Sequence, residues 1–148
     1  MSRMWKPTYR KMEWGGERMK VAVTSTGQNL SDQTSSVFGR CPYFVIVEVK
    51  DGKIESSKSI QNQAQNQRGG AGMAAAQTVG DEGVEAVITG AVGPNAFNVL
   101  DRLEIEVYLT KEGTVEENVS MFLDGNLEKA SSPTGGPGRG KGRGRGQK

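Results

Sequence analysis

The sequence predicts an α/β fold built on a mixed, mainly parallel sheet, and three observations carry that expectation. Apolar runs with strand and helix character follow one another in the order β-β-β-α-β-α-β-α. An Asp51-Gly52 pair joins the second and third strands. Every later strand is separated from its predecessor by a helical segment, the arrangement that lets parallel strands pair through crossovers.

Val21 to Thr24 is a short β-branched run that fits a buried strand. A polar loop from Ser25 to Cys41 ends it. Tyr43 to Val49 is the strongest strand in the chain, while Ile54 to Ile60, with its interspersed serines and lysine, suggests a sheet edge. Asp51-Gly52 supplies the two positive-φ residues of a type I′ turn, so these strands form an antiparallel hairpin. Gln61 to Arg68 is a Gln/Asn-rich loop, followed by the glycine run Gly69, Gly70, Ala71, Gly72. An alanine-rich helix over Met73–Val79 is expected to stop near Gly83. A strand at Ala86–Thr89 leads into the loop Gly90–Asn95. Beyond it lie a helix carrying Phe97, Val99, Leu100 and Leu103, a strand at Glu106–Leu109, and a helix that opens on a Thr114-x-x-Glu117 capping box and continues to Leu123.

The 148 residues set the length of a single domain with chain to spare for flexible ends. One cysteine and no histidine exclude an internal disulfide framework, a zinc finger, a His-based triad and any cluster site of four thiolates from one chain. No run nears the roughly 18 apolar residues of a membrane span, and no signal peptide opens the chain, so a cytoplasmic protein is expected.

The net charge of +2 is unevenly spread. Residues 1–19 hold five cations against two acids and residues 135–148 hold five cations with none, which leaves a net of −6 between them. The first eighteen residues, with both tryptophans but no apolar periodicity, read as an extension, either disordered or an over-extended reading frame with Met19 as the natural start. The main domain is then 19–130. Residues 131–148 form a basic Gly/Arg tail too poor in apolar groups to order itself, with two functions open to it: a solubilising segment, or an arm for RNA or an acidic partner.

Strand directions locate a site before any motif does. With strand 1 pointing up, the loops after strands 1, 3, 4 and 5 all emerge at the carboxyl rim, where open α/β sheets bind ligands. Gly69, Gly70, Ala71 and Gly72 before a helix let an anion approach backbone N–H groups at the positive helix end, and they serve equally as conformational glycines. Their spacing matches neither the dinucleotide fingerprint nor the phosphate loop. Gly93 and Asn95 border the same rim around Pro94, where a turn and a helix start also account for them. Arg40 can hold an anionic ligand and Cys41 can offer a thiolate to a soft metal, or pack as a small buried residue. Arg68 is a further candidate cation, and Met73 a candidate thioether or a packing residue.

Five segments in order carry a resemblance: Met19–Ser25, Phe38–Phe44 with Arg40-Cys41-Pro42 at its centre, Gly69–Gly72, Val87–Gly90 with Gly93–Phe97, and Thr114–Asn118. Together they resemble the dinitrogenase iron-molybdenum cofactor biosynthesis family (NifX / NifB C-terminal domain-like), in its small stand-alone archaeal form, from about Met19 to Ala130. The resemblance implies a three-layer α/β/α fold with a five-stranded, ribonuclease-H-like sheet of order 3-2-1-4-5, strand 2 antiparallel. It implies binding or carriage of an iron-sulfur or molybdenum-containing cluster or its precursor, with cluster-assembly proteins as partners. Arg40, Cys41 and the Gly69–Gly72 amides are the groups that would dock such a cluster, Cys41 as its one thiolate.

No catalytic constellation is visible. A two-metal nuclease on this framework needs clustered carboxylates, and Val21–Thr24 has none. The competing function is an RNA- or partner-binding adaptor that works through the tail.

Overall fold

The computed structural model describes residues 18–64 and 69–133. Residues 1–17 of the expected N-terminal extension, Arg68 and the Gly/Arg segment from residue 134 lie outside them, while Arg18, the last residue of that extension, already opens the first strand. In chain order the elements are β1 (Arg18–Ser25), β2 (Tyr43–Lys50), β3 (Lys53–Gln61), α1 (Ala71–Asp81), β4 (Ala86–Thr89), α2 (Pro94–Arg102), β5 (Glu106–Leu109), α3 (Val115–Leu123) and β6 (Lys129–Ala130).

One sheet runs β3-β2-β1-β4-β5-β6. β1 pairs antiparallel with β2 and parallel with β4, β2 pairs antiparallel with β3, and β4 pairs parallel with β5. The sheet has six strands where five were expected. The addition is β6, whose two residues pair antiparallel with Val107 and Tyr108, too short a segment to leave a periodic signal. The β2–β3 connection is the expected one: Asp51 and Gly52 have φ values of 55° and 78°. A register shift interrupts the β2–β3 pairing at Glu48/Val49.

Alternation along the strands divides the apolar side chains between two layers. Ala22, Ile46, Val87 and Val107 face α1 and α2 and pack with Ala75, Ala76, Val79, Ala96 and Leu100. Val21, Val23, Ile88 and Tyr108 face the other way and pack with Val115, Val119 and Phe122 of α3, Tyr108 meeting Phe122 edge to face at 4.9 Å between ring centroids. Helices on both faces are what bury a sheet whose central strands are apolar on both sides.

The helix ends follow local chemistry. Pro94 occupies the first turn of α2, where its missing N–H costs nothing. α3 has the expected capping box: Thr114 Oγ1 accepts from the Glu117 N–H, and Glu117 Oε1 accepts from the Thr114 N–H. α1 starts two residues earlier than expected, at Ala71, because Gly70 as N-cap takes the left-handed conformation at φ 73° and Gly72 then enters the helix. Leu103 lies just beyond α2 and is 44% exposed instead of joining the core.

Among the described residues no helix is long and apolar enough to cross a membrane.

Candidate functional site

The loops after β1, β3 and β4 meet at the carboxyl ends of the strands. The loop after β1 returns across the rim: the Thr24 carbonyl accepts from the Ser35 N–H, Val37 pairs with Ala91, and the Phe38 N–H donates to the Ala91 carbonyl. Farther along the rim Gln33 pairs with Thr114, so the loop after β5 joins the same edge. Buried hydroxyls fasten the floor, with Thr24 Oγ1 donating to the Ser35 carbonyl at 2.6 Å and lying 3.2 Å from Thr89 Oγ1.

Between these loops is a cavity of about 580 Å³. One wall is the Val37–Arg40 turn, the second is Gly69–Met73 at the start of α1, and the third is Ala91 with Gly93–Ala96 at the start of α2. The starts of α1 and α2 are close enough that a β-carbon on Gly72 would stand 3.0 Å from Ala96 Cβ. Two helices therefore begin at one mouth. The first-turn N–H groups of a helix lack partners within it, and the positive ends of both helices add there.

Of the residues singled out in the sequence, Arg40, Gly69, Gly70, Ala71, Gly72, Gly93 and Asn95 all line this cavity, as does Met73. Arg40 is exposed and Met73 is 43% exposed. No carboxylate is among the described residues that line it. In a body with a net negative charge, the described residues of the mouth thus present the Arg40 guanidinium and two helix ends.

Cys41 is not brought to the cavity. Its side chain is 0% exposed, with Sγ donating to the Phe38 carbonyl at 3.4 Å and the Asn62 amide 3.9 Å away. Burial pushes its pKa from 9.0 up to about 12, against smaller lowering effects from backbone groups, Ser25 among them, and from Asn62. At neutral pH it is a protonated thiol inside the protein, the packing alternative of the two raised by the sequence. Its neighbour Arg40 projects outward, so adjacency in sequence does not mean adjacency at the site. No group of three or more His, Cys, Asp or Glu side chains suited to hold a metal ion occurs among the described residues.

Sequence reasoning missed the apolar part of the lining, Val37, Phe38 and Ala91. Val37 was hidden in a polar loop, yet it is 43% exposed, and together with Met73 it supplies two of the three exposed large hydrophobics among the described residues. It also missed Asn62, which is 1% exposed and sits beneath the first wall.

Residues 19–125 match the dinitrogenase iron-molybdenum cofactor family. The chain belongs to it. Within and around this dinitrogenase cofactor family, the apo form of the orange protein from Desulfovibrio gigas is 34% identical, with a TM-score of 0.73 over 79% of this chain and 97% of that one. A proposed NifB protein from Thermotoga is 33% identical, with a TM-score of 0.66 over 78% of this chain and 97% of that one. An uncharacterized protein of Methanocaldococcus jannaschii is 37% identical over 111 residues, 75% of this chain and 91% of its own length. Membership ties the chain by family to the iron-molybdenum cofactor, and the three-layer α/β/α architecture is the one its relatives share.

Proposed function

We propose that this protein binds and carries a preassembled, anionic metal-sulfur cluster of the iron-sulfur or molybdenum-iron-sulfur type, or a precursor of one, in the cavity at the carboxyl rim. The observation that carries this reading is the convergence of two helix N-termini and Arg40 on one cavity with no acid among its described lining residues.

The chemistry of the lining selects the form of the cargo. The described lining offers a bare divalent cation no carboxylate, the chain has no histidine, and its one thiol is buried. An anion that brings its own sulfide ligands meets N–H groups at Ala71, Gly72 and Asn95, the guanidinium of Arg40, the thioether of Met73 and the apolar surface of Val37. These groups bind from outside the metal's own ligand sphere. Contacts of that kind hold a cluster without a covalent bond to the protein and let it leave intact, which is what a carrier requires. Arg40, Gly69, Gly70, Ala71, Gly72, Gly93 and Asn95 are the proposed cargo-binding residues, and Cys41 supports the turn from behind.

The test is anaerobic reconstitution of the full chain with ferrous iron and sulfide, with and without molybdate, followed by metal analysis and visible absorption of the desalted protein. Coloured, metal-bearing protein is expected, with most of the metal lost in Arg40→Glu, which reverses the charge at the mouth. A colourless, metal-free wild-type protein under all of these conditions would overturn the reading.

A further inference from the structure

Asn62, at the end of β3, spends its whole side chain on two neighbouring segments. Its Nδ2 donates to the carbonyl of Gly39 at 3.1 Å and to the carbonyl of Cys41 at 2.8 Å, and its Oδ1 accepts from the Ala64 N–H at 3.1 Å. Its own N–H donates to the Pro42 carbonyl at 2.9 Å. The two carbonyls held by one amide are those on either side of Arg40. The Ala64 bond meanwhile fixes the chain as it leaves the sheet toward Gly69. An amide is the right group for this place: it has two donors in one plane for two carbonyls, and an acceptor on the opposite side for the N–H.

We infer that Asn62 is a positioning residue for the cavity, setting the orientation in which the Gly39–Cys41 turn presents Arg40. The inference rests on the reading of the cavity as the cargo site. Asn62 makes no contact with the cargo and acts through Arg40. A side chain this well satisfied also supports the fold, so the two roles have to be separated by what is measured.

The variants are Asn62→Asp, which sets carboxylate oxygens against the two carbonyls, and Asn62→Ser, which keeps a single short donor. Each is reconstituted as the full chain with ferrous iron and sulfide, at a temperature where circular dichroism shows it folded. Iron retained per folded chain is then followed through serial dilution. A misplaced Arg40 forfeits charge-assisted hydrogen bonding to an anionic cargo, and a weakening of about tenfold is expected here. In the double variant with Arg40→Ala, the Asn62 change should add nothing to the loss caused by Arg40→Ala alone, because one acts through the other. A second readout is independent of cargo: amide exchange at Arg40 and Cys41 should quicken in Asn62→Ser while the amides of β1 and β4 keep their wild-type rates.

Wild-type iron retention in folded Asn62→Ser overturns the inference, as does a loss that adds to that of Arg40→Ala. If Asn62→Asp does not fold, Asn62→Ser carries the test. A result in which Arg40→Ala loses iron and Asn62→Ser does not removes the role of Asn62 and leaves the carrier reading standing. A wild-type chain that takes up no iron removes both.

Discussion

Gly39 and Gly72 meet backbone to backbone: a β-carbon on Gly39 would stand 2.9 Å from the Gly72 nitrogen and 3.0 Å from its Cα. Neither atom can swing aside as a side chain does. The contact therefore brings two walls of the cavity together at a point where only glycine leaves room. Outside the lining, Gly90 is confined in a similar way, with the Ser36 carbonyl 2.6 Å from where its β-carbon would lie.

Gly39→Ala should cost about 1–3 kcal/mol by forcing the two walls apart, and it should reduce cluster uptake in the protein that still folds. Gly69→Ala is the control, since nothing lies within 4 Å of its β-carbon position, and its stability should stay within about 0.5 kcal/mol of wild type. Urea unfolding of both variants decides the matter; equal stabilities would mean the Gly39–Gly72 contact imposes no constraint.

Cys41→Ala should leave cluster uptake unchanged, because the thiol is enclosed and protonated. In the wild-type protein, iodoacetamide should label Cys41 at pH 8 only as fast as the protein opens. Rapid labelling of the folded chain, or loss of uptake in Cys41→Ala, would assign the sulfur to the cargo.

The same thiol gives a pH signature. Its folded pKa of about 12 lies above the 9.0 of an unburied cysteine. Below pH 9 it is protonated in both states and has no effect on the pH dependence. Above pH 9 the unfolded chain ionises and the folded one does not, so stability falls as pH rises toward 12, by up to about 1.4 kcal/mol per pH unit from this group. Denaturant titrations of wild type and Cys41→Ala between pH 8 and 10.5 should show the wild type losing stability faster. Parallel curves would contradict the burial.

Thr114→Ala removes the acceptor for the Glu117 N–H and should cost about 1 kcal/mol in urea unfolding. Uptake should be unaffected, since Thr114 lies on the rim but outside the cavity lining. A loss of uptake would extend the site to the loop after β5.

Lys58 and Glu82 form an ion pair at 2.8 Å that ties edge strand β3 to the end of α1, with the lysine side chain 59% exposed. Lys58→Ala should cost less than about 1 kcal/mol, and the difference should shrink in 1 M salt. A larger, salt-independent loss in thermal melts would mean the lysine stem, not its charge, matters there.

How far the sequence could be read depends on how local each cause is. The Asp51-Gly52 turn, the Thr114–Glu117 box, and the strands Ala86–Thr89 and Glu106–Leu109 are set by their own residues, and they stand where the sequence places them. Strand order follows from hairpin and crossover geometry, so the rim and most of its residues were legible too. β6 was not, because it exists only through its pairing with β5. The start of α1 was misplaced because the left-handed turn at Gly70, φ 73°, lets Ala71 and Gly72 join the helix, and glycine gives no helix signal of its own. The opposite directions of Arg40 and Cys41, and the reach of Asn62 across 23 residues to Gly39, depend on packing that no local pattern encodes.

The walls of the cavity come from around residues 37–40, 69–73 and 91–96, three stretches that the chain must gather from separate turns of its path. None of them is a receptacle alone. Occupancy thus doubles as a gauge of completed folding: a guest cluster would lend its binding energy to the native state, and a bound chain should outlast an empty one against protease or heat.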